Sequence, residues 1–406
     1  MFVERGAKKI SKQYIEKDVY TATKERLNYI LDQFENVYTS FSGGKDSSVL
    51  LQLLLKIATK KKKLPVSVLY IDFEAQYKAT IKHVEELLVN NKKVKPYWIC
   101  LPFNLRNAVS VFQSQWQCWN PEKKDKWVRK LPEYDCVISD LNYFPFFHYG
   151  MEFEDFIIKF GKWITQGEKT ACLVAIRSDE SLNRFRTIKN LKKERYENLG
   201  YSTKIADNLY NFYPIYDWRT EDVWTAVGNL KLKYNKIYDL MYMQGKSIHE
   251  SRLCQPYGDD QRKGLELFRV CEPDTWSKVV DRVSGANYGN LYANTFLMGY
   301  RKIVKPKGHT WESYTKFLLK TLPKFEAEWY QIKFEKYFDW WADRGYPKHE
   351  IPDEANRKLE ARRKIPTWRR LAEVILKNDK LCKRLSFSGS PRQFEKYNHL
   401  REIYGI

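Results

Sequence analysis

Between positions 40 and 48 the chain reads Ser40-Phe41-Ser42-Gly43-Gly44-Lys45-Asp46-Ser47-Ser48, joining two adjacent glycines to a lysine, a carboxylate and several hydroxyls. These groups suit a phosphate. Gly43 and Gly44 permit tight curvature and close backbone approach of an anion. Lys45 brings a positive charge, and Ser42, Ser47 and Ser48 bring hydroxyl donors. A β-prone run, Asn36-Val37-Tyr38-Thr39, precedes the segment, and an apolar helical run from Val49 to Ala58 follows it. A strand therefore enters the turn and a helix leaves it. The unpaired N–H groups of a helix start, with the helix dipole, favour an anion there. The dipole contributes roughly 0.3–1 kcal/mol, whereas each hydrogen bond to a charged group contributes roughly 1.5–3 kcal/mol. The donors and Lys45 therefore dominate. A plain glycine turn with exposed serines is the alternative, and it leaves the coincidence of Lys, Asp and Ser after the glycines without a reason. The Walker A pattern G-x-x-x-x-G-K-[ST] does not fit.

Two more charged groups follow apolar runs. Asp72, with Glu74 nearby, ends Val66-Ser67-Val68-Leu69-Tyr70-Ile71, where a carboxylate can hold ribose hydroxyls or a magnesium ion or can simply cap a turn. Arg177-Ser178-Asp179-Glu180-Ser181-Leu182-Asn183-Arg184-Phe185-Arg186 follows Ala171 to Ile176. Arginine forks match phosphate or sulfate bidentately, and the alternative is an exposed salt-bridged turn.

The elements that must position these groups follow an alternating rhythm. Residues 14–34 read as a helix, 36–41 as a strand, and the helix after the glycines runs to about residue 60, ending at the lysine run 60–63. Strands follow at 66–72, 96–101 and 171–176, with helices at about 76–90 and 153–166, and 213–218 reads as a fifth strand or strand end. Thr220 is the expected N-cap of the next helix, with Glu221 and Asp222 in its first turn. This order predicts an α/β fold with a doubly wound, mainly parallel sheet. Ligands then bind beyond the carboxyl ends of the strands, where all three charged groups fall. Residues 103–150 interrupt the rhythm and are rich in aromatics, from Phe112 and Trp116 to Phe146 and Phe147. They read as an insertion beside the site mouth, either stacking a base or forming a satellite core. The expected domains are 1–235, carrying that insertion, and 236–406, helical and basic.

At 406 residues the chain can bury a large core, and an aromatic share of 16% argues against disorder. No apolar run reaches the ~18–20 residues that span a bilayer, and Met1 to Gln13 show no apolar signal core, so no membrane partner and a cytoplasmic location are expected. Seven cysteines are scattered without a C-x-x-C pair, and the six histidines show no i,i+4 pairing, so neither an iron–sulfur cluster nor a zinc site is expected. The net charge is +21, and residues 301–406 hold 25 Lys and Arg against 14 Asp and Glu. This suits a polyanion such as nucleic acid or an acidic partner; a solvated basic surface is the alternative.

The spacing Ser42-Gly43-Gly44-Lys45-Asp46-Ser47 resembles the PP-loop of the ATP pyrophosphatase superfamily, which cleaves ATP between the α and β phosphates. Ala175-Ile176-Arg177-Ser178-Asp179-Glu180-Ser181 with Arg184 is similar to the second signature of phosphoadenosine phosphosulfate (PAPS) reductases. Tyr213-Pro214-Ile215-Tyr216-Asp217-Trp218 with Glu221-Asp222-Val223-Trp224, and then Tyr234-Asn235-Lys236-Ile237-Tyr238-Asp239, resemble that family's next two segments, in family order. The C-terminal part, with Pro366-Thr367-Trp368-Arg369-Arg370, resembles IbrA-type PAPS reductase-like proteins of bacteria and prophages, which are encoded beside a ParB/sulfiredoxin-like partner.

The resemblance implies an adenine nucleotide, ATP or PAPS, held by Ser42, Gly43, Gly44, Lys45, Ser47, Ser48, Asp72, Arg177, Asp179 and Glu180. It implies magnesium on Asp46 or Asp72, and catalytic roles for Lys45, Asp46, Arg177 and Arg184. The expected activity is adenylation of an acceptor with pyrophosphate release. PAPS or APS sulfonyl reduction or transfer, and a nucleotide-sensing or DNA-binding subunit working with the ParB-like protein, are the alternatives. The C-terminal E-C-G-x-H motif of true PAPS reductases is missing: the chain ends near Glu395-Lys396-Tyr397-Asn398-His399. Cys382 has basic neighbours, which lower a thiol pKa, but lacks that context, and Cys254 stands without a C-x-x-C partner.

Overall fold

The structure, a computed structural model, describes residues 14–110, 113, 115–189, 193–253, 265–287, 291, 303–377, 379–387, 396–397, 399–400 and 402–404. The chain forms two compact units, Met1–Ala286 and Asn287–Ile406.

In the first unit the strands are β1 (Asn36–Phe41), β2 (Val66–Ile71), β3 (Val94–Ile99), β4 (Asn104–Arg106), β5 (Gln115–Gln117), β6 (Val137–Ile138), β7 (Thr170–Val174), β8 (Ser202–Ala206) and β9 (Leu209–Phe212). Its helices are α1 (Val19–Gln33), α2 (Lys45–Lys60), α3 (Lys78–Leu88), α4 (Phe153–Thr165), α5 (Leu182–Lys189), α6 (Thr220–Asn229), α7 (Ile237–Met243), α8 (Leu265–Cys271) and α9 (Pro273–Arg282). Seven strands make one sheet in the order β6-β3-β2-β1-β7-β9-β8, and β4 and β5 pair as a separate small hairpin. All the large-sheet pairings are parallel except β8 with β9. The expected doubly wound, mainly parallel sheet is therefore the fold.

The order of strands decides where the site lies. From β1 the chain builds outward through β2 and β3, and then returns to lay β7 on the other side of β1. The crevice between β1 and β7 is thus the switch point of the sheet, where ligands of open α/β folds bind. Ser40 of β1 stands level with Val174 of β7, so the glycine turn and the Arg177 segment leave the sheet side by side.

Burial holds this arrangement. Helix α2 buries Val49, Leu50, Leu51, Leu53, Leu54, Leu55, Ile57 and Ala58, which is why its apolar run is nearly continuous rather than a narrow stripe. Each such side chain contributes about 1.5–3 kcal/mol when buried. The aromatic segment is a core, as the second of its two readings expected. Phe144 packs on Phe156 and Phe160 of α4 at centroid distances of 5.3 and 5.9 Å, and Phe103 packs on Phe156 at 5.0 Å. The same segment also supplies β6, which extends the sheet beside β3.

Two expectations shift. The next parallel strand beside β7 is β9, Leu209–Phe212, not 213–218, and it forms a hairpin with β8 that the apolar pattern did not reveal. Residues 213–218 instead tie α1 to the sheet. Arg26 donates to both Asp217 carboxylate oxygens at 2.8 and 2.6 Å, and the Trp218 indole N–H donates to Thr23 Oγ1 at 2.8 Å. The N-cap of α6 is Arg219 rather than Thr220, with Asp222 accepting the Arg219 N–H at 2.7 Å.

The first unit also ends later than residue 235, because the helices beyond it bond back. Glu272 accepts the Lys78 and Ala79 N–H groups at the start of α3, at 2.9 and 3.3 Å, and Arg282 pairs with Glu74 at 2.9 Å.

The second unit contains α10 (Trp311–Thr321), α11 (Lys324–Ala342), α12 (Arg357–Ala361) and α13 (Trp368–Leu376). Its core joins Trp311, Tyr330, Phe334, Phe338, Trp368 and Leu371. No described helix is long and apolar enough to cross a membrane.

Candidate functional site

Strand β1 ends at Phe41 and α2 begins at Lys45, so Ser42, Gly43 and Gly44 make the whole connection. Gly43 has φ +73°, and a Cβ there would stand 2.9 Å from Thr80 Cγ2. Both the backbone angle and the closeness of α3 therefore require glycine. Gly44 is the N-cap of α2 and has no side chain to close the helix start, which leaves the first-turn N–H groups to other acceptors. Ser42 and Ser47 face one another, their hydroxyl oxygens 3.1 Å apart. Ser48 does not join them. The Ser47 and Ser48 hydroxyls both donate to Gly44 O, at 3.0 and 2.8 Å, but Ser48 Oγ also lies 2.7 Å from His83 Nε2, which ties it to α3 behind the turn. The expected place of Ser48 among the phosphate donors is corrected accordingly.

The charges expected from distant parts of the chain meet here. Arg177 Nε donates to Asp46 Oδ1 at 2.5 Å, and Lys45 Nζ stands 3.5 Å from Asp46 Oδ2. Lys45 and Arg177 are both buried, at 5% and 2% exposure. Two buried cations against one carboxylate leave an excess of positive charge at the mouth of the turn. Arg177 Nη1 is buried and has no hydrogen-bond partner among the described residues. A buried charged donor without a partner costs at least about 1–3 kcal/mol, which an anion at this place offsets. Farther out, Glu180 accepts from Arg252 at 3.1 Å and stands 3.8 Å from Arg184 Nε. Asp179 is exposed at the turn, and Arg184 is about half exposed (49%) on α5. Glu180 therefore organises arginines at the rim and does not reach the glycines.

A clamp on the glycine turn escaped the sequence reading. Asn235, fully buried, donates to Gly43 O at 3.0 Å and to Thr80 Oγ1 at 2.9 Å, and its own Oδ1 accepts the Ile237 N–H at 3.0 Å. Tyr238 OH accepts the Lys45 N–H at 3.0 Å, and Lys45 Nζ donates to Ser251 O at 3.3 Å. The Tyr234–Asp239 segment thus fixes the turn from about 190 residues away. Its sequence signal was the run Tyr234-Asn235-Lys236-Ile237-Tyr238-Asp239, with its resemblance to a family segment. Burial pushes the His83 imidazole down to about 4, helped by the charge of Lys233, so His83 is neutral at pH 7.

Asp72 is not at the site. Its carboxylate accepts the Glu74 N–H at 3.0 Å and the Trp98 indole N–H at 2.9 Å, and it pairs with Arg129. With 0% exposure and these partners it holds neither ribose nor magnesium. Glu74, equally buried, accepts from Trp119 N at 2.7 Å, Val128 N at 3.1 Å and Arg282. The two carboxylates anchor the aromatic segment to the sheet.

Of the two carboxylates expected to hold magnesium, Asp46 is the one at the turn, where Arg177 and Lys45 stand against its two oxygens. Magnesium is commonly held by one or two carboxylates together with substrate phosphates, and Asp46, at the mouth of the turn, fits that pattern. Among the described residues no group of three or more His, Cys, Asp or Glu is arranged to hold a metal ion.

Among the described cysteines every thiol is shifted upward by burial. Burial pushes the Cys382 thiol well above its ordinary value, and Asp379 adds to the shift, outweighing Lys333 and Lys380. The lowering expected from its basic neighbours is therefore reversed. Burial likewise raises Cys100, Cys118, Cys136, Cys172 and Cys271. Cys254 lies outside the described residues.

The sequence is similar to known families and proteins. The model of the phosphoadenosine phosphosulfate reductase domain matches residues 36–244, just over half of the chain, and a domain of unknown function (DUF3440) matches 245–349 and 347–396. The uncharacterized protein YbdN of Escherichia coli (strain K12) is 38% identical over 400 residues, covering 96% of both chains. An uncharacterized protein of Methanocaldococcus jannaschii is 26% identical over 53% of this chain and 37% of its own. Among solved structures, the PAPS reductase of Candida auris overlaps 57% of this chain and 94% of its own at 16% identity and a TM-score of 0.31. The FMN adenylyltransferase of Candida glabrata in complex with ATP overlaps 54% of this chain and 56% of its own at 14% identity and a TM-score of 0.31. The family match spans the glycine turn, the Arg177 segment and the Asn235 clamp together, and the chain belongs to the phosphoadenosine phosphosulfate reductase domain family.

Proposed function

We propose that this chain binds ATP in the glycine turn and transfers AMP to an acceptor, releasing pyrophosphate. The observation that carries this reading is Arg177: a buried guanidinium, braced on Asp46, with one nitrogen lacking a hydrogen-bond partner among the described residues. Lys45, the hydroxyls of Ser42 and Ser47 and the N–H groups at the start of α2 would hold the β and γ phosphates. Asp46 would share a magnesium ion with them. An acceptor oxygen attacks the α phosphorus, the bond from that phosphorus to the oxygen bridging to the β phosphate breaks, and pyrophosphate leaves with the bond's electrons. Arg177 is placed to stabilise the charge that develops, with Arg184 at the rim; donors fixed before reaction are the usual large contribution in such transfers. The positive surroundings of the turn favour an anionic acceptor, such as a group on a nucleic acid or on a ParB/sulfiredoxin-like partner protein.

The family name suggests PAPS as the alternative nucleotide in the same turn. Sulfonyl reduction needs a thiolate, and every described cysteine has its thiol pKa raised by burial, which disfavours that reading. ATP–pyrophosphate exchange tests the proposal. Exchange by the native chain and its loss in Lys45→Ala would support adenylation. Nucleotide binding without exchange, with or without a partner protein, would instead favour a nucleotide-sensing regulatory subunit.

A further inference from the structure

The second unit carries a basic surface on which several of the neighbouring acids are already engaged. Arg369, nearly buried, takes Glu360 at 2.5 Å and Glu354 at 3.0 Å. Asp379 accepts the Lys383 and Arg384 N–H groups at 3.1 and 2.8 Å, capping the turn that follows α13. Arg363 Nη1 donates to Ser386 Oγ at 3.0 Å, which brings the exposed run Arg362-Arg363-Lys364 beside the exposed Arg384. Lys377, half-buried just past the end of α13, adds a cation there. Among the described residues no carboxylate stands within ion-pair distance of Arg357, Arg362, Lys377 or Arg384. Burial lowers the proton affinity of Lys377, and Arg384 and Arg357 lower it further against the opposing effect of Glu373. The Arg363–Ser386 bond thus joins the turn after α12 to the segment after α13, and the cations of these segments share one exposed face.

We propose that the face formed by Arg357, Arg362, Arg363, Lys377 and Arg384 binds the phosphodiester backbone of a nucleic acid. Like charges brought together at a cost are relieved by an anion. All of these groups except Lys377 are guanidinium forks, which match phosphate oxygens. Their spread over α12, the following turn and the segment after α13 suits a repeating anion rather than a single one. The proposal does not depend on the nucleotide-binding reading and would survive a negative exchange assay.

Fluorescence anisotropy of the full chain with labelled single-stranded RNA, single-stranded DNA and duplex DNA, across a salt series, tests it. The triple variant R362E/K377Q/R384E is expected to weaken binding at least about tenfold at low salt, and to reduce the salt slope by roughly 0.7–0.9 for each phosphate the face no longer neutralises. The control K82E/K92E, exposed positions in the first unit, changes net charge nearly as much and is expected to weaken binding by less than about threefold. The single variants R362E and R384E, at exposed positions, give intermediate losses and guard against a misfolded triple variant. The proposal is overturned if the native chain binds no polynucleotide, if the control weakens binding as much as the triple variant, or if an acidic peptide or anionic vesicles bind this face as tightly as RNA and DNA do.

Discussion

The side-chain amide of Asn235 donates to the carbonyl of Gly43 across 192 residues of sequence, at 3.0 Å. The same amide bonds Thr80 on α3, so one buried residue sets both the curvature of the glycine turn and its distance from the helix beside it. Asn235→Ala leaves buried polar groups without partners, at about 1–3 kcal/mol. A matching fall in unfolding free energy is expected, together with weaker nucleotide binding. Asn235→Asp should repair neither, because a carboxylate cannot donate to Gly43 O. Denaturant titration and calorimetry read the two effects separately.

Gly43→Ala meets two obstacles, a positive φ and the Thr80 methyl group 2.9 Å away. The backbone part alone costs about 1–2 kcal/mol. Combining it with Thr80→Ser removes the methyl group but keeps the hydroxyl that Asn235 uses. The double variant should therefore regain part of the lost stability and not all of it. Full recovery in a thermal melt would show that the φ of Gly43 is not a constraint.

Asp46 and Asp72 should separate cleanly. Breaking a buried ion pair by removing one partner costs about 3–5 kcal/mol, so Asp72→Ala is expected to destabilise strongly through Arg129 and Trp98. Asp46→Asn keeps an oxygen to accept from Arg177 Nε, so it should cost less stability than Asp72→Ala and abolish exchange. An Asp72→Asn protein that folds normally but no longer binds nucleotide would return Asp72 to the site.

His83 makes stability fall with acid. Its pKa in the folded chain is lowered from 6.5 to about 4, so between these values the unfolded chain binds more protons. The contribution is complete above pH 6.5 and is lost as pH drops toward 4, by up to about 3 kcal/mol. His83→Gln, which keeps a polar partner for Ser48, should flatten the unfolding free energy between about pH 7 and 4.5. A profile unchanged by that substitution would place the acid sensitivity elsewhere.

Cys382 should be inert. It has 0% exposure and a raised thiol pKa, so iodoacetamide at about pH 8 should label it in denaturant and not in the native chain. Cys382→Ser should leave turnover unchanged. A loss of activity on that substitution, in a protein that melts normally, would revive the sulfonyl chemistry.

The strand, glycine turn and helix at 36–60 were legible because their signals are local: β-branched residues, paired glycines, then a leucine-rich run. The meeting of Asp46 with Arg177 was legible only through topology, since β1 and β7 must be neighbours for both loops to leave the sheet together. The roles of Asp72 and Ser48 were not legible. Their positions at the strand end and helix start fit ligand binding, but Arg129 and His83, which claim them, come from elements whose placement no local pattern reveals. Cys382 failed for a related reason: neighbouring lysines are visible in sequence, while the burial that overrides them is a property of packing.

Calorimetric titration of magnesium–ATP into the native chain and into Lys45→Ala and Arg177→Ala tests the central claim most directly. Saturable binding at one site, lost in Lys45→Ala and weakened at least about tenfold in Arg177→Ala, is the predicted result. No uptake by the native chain, or the same affinity in all three proteins, would contradict it.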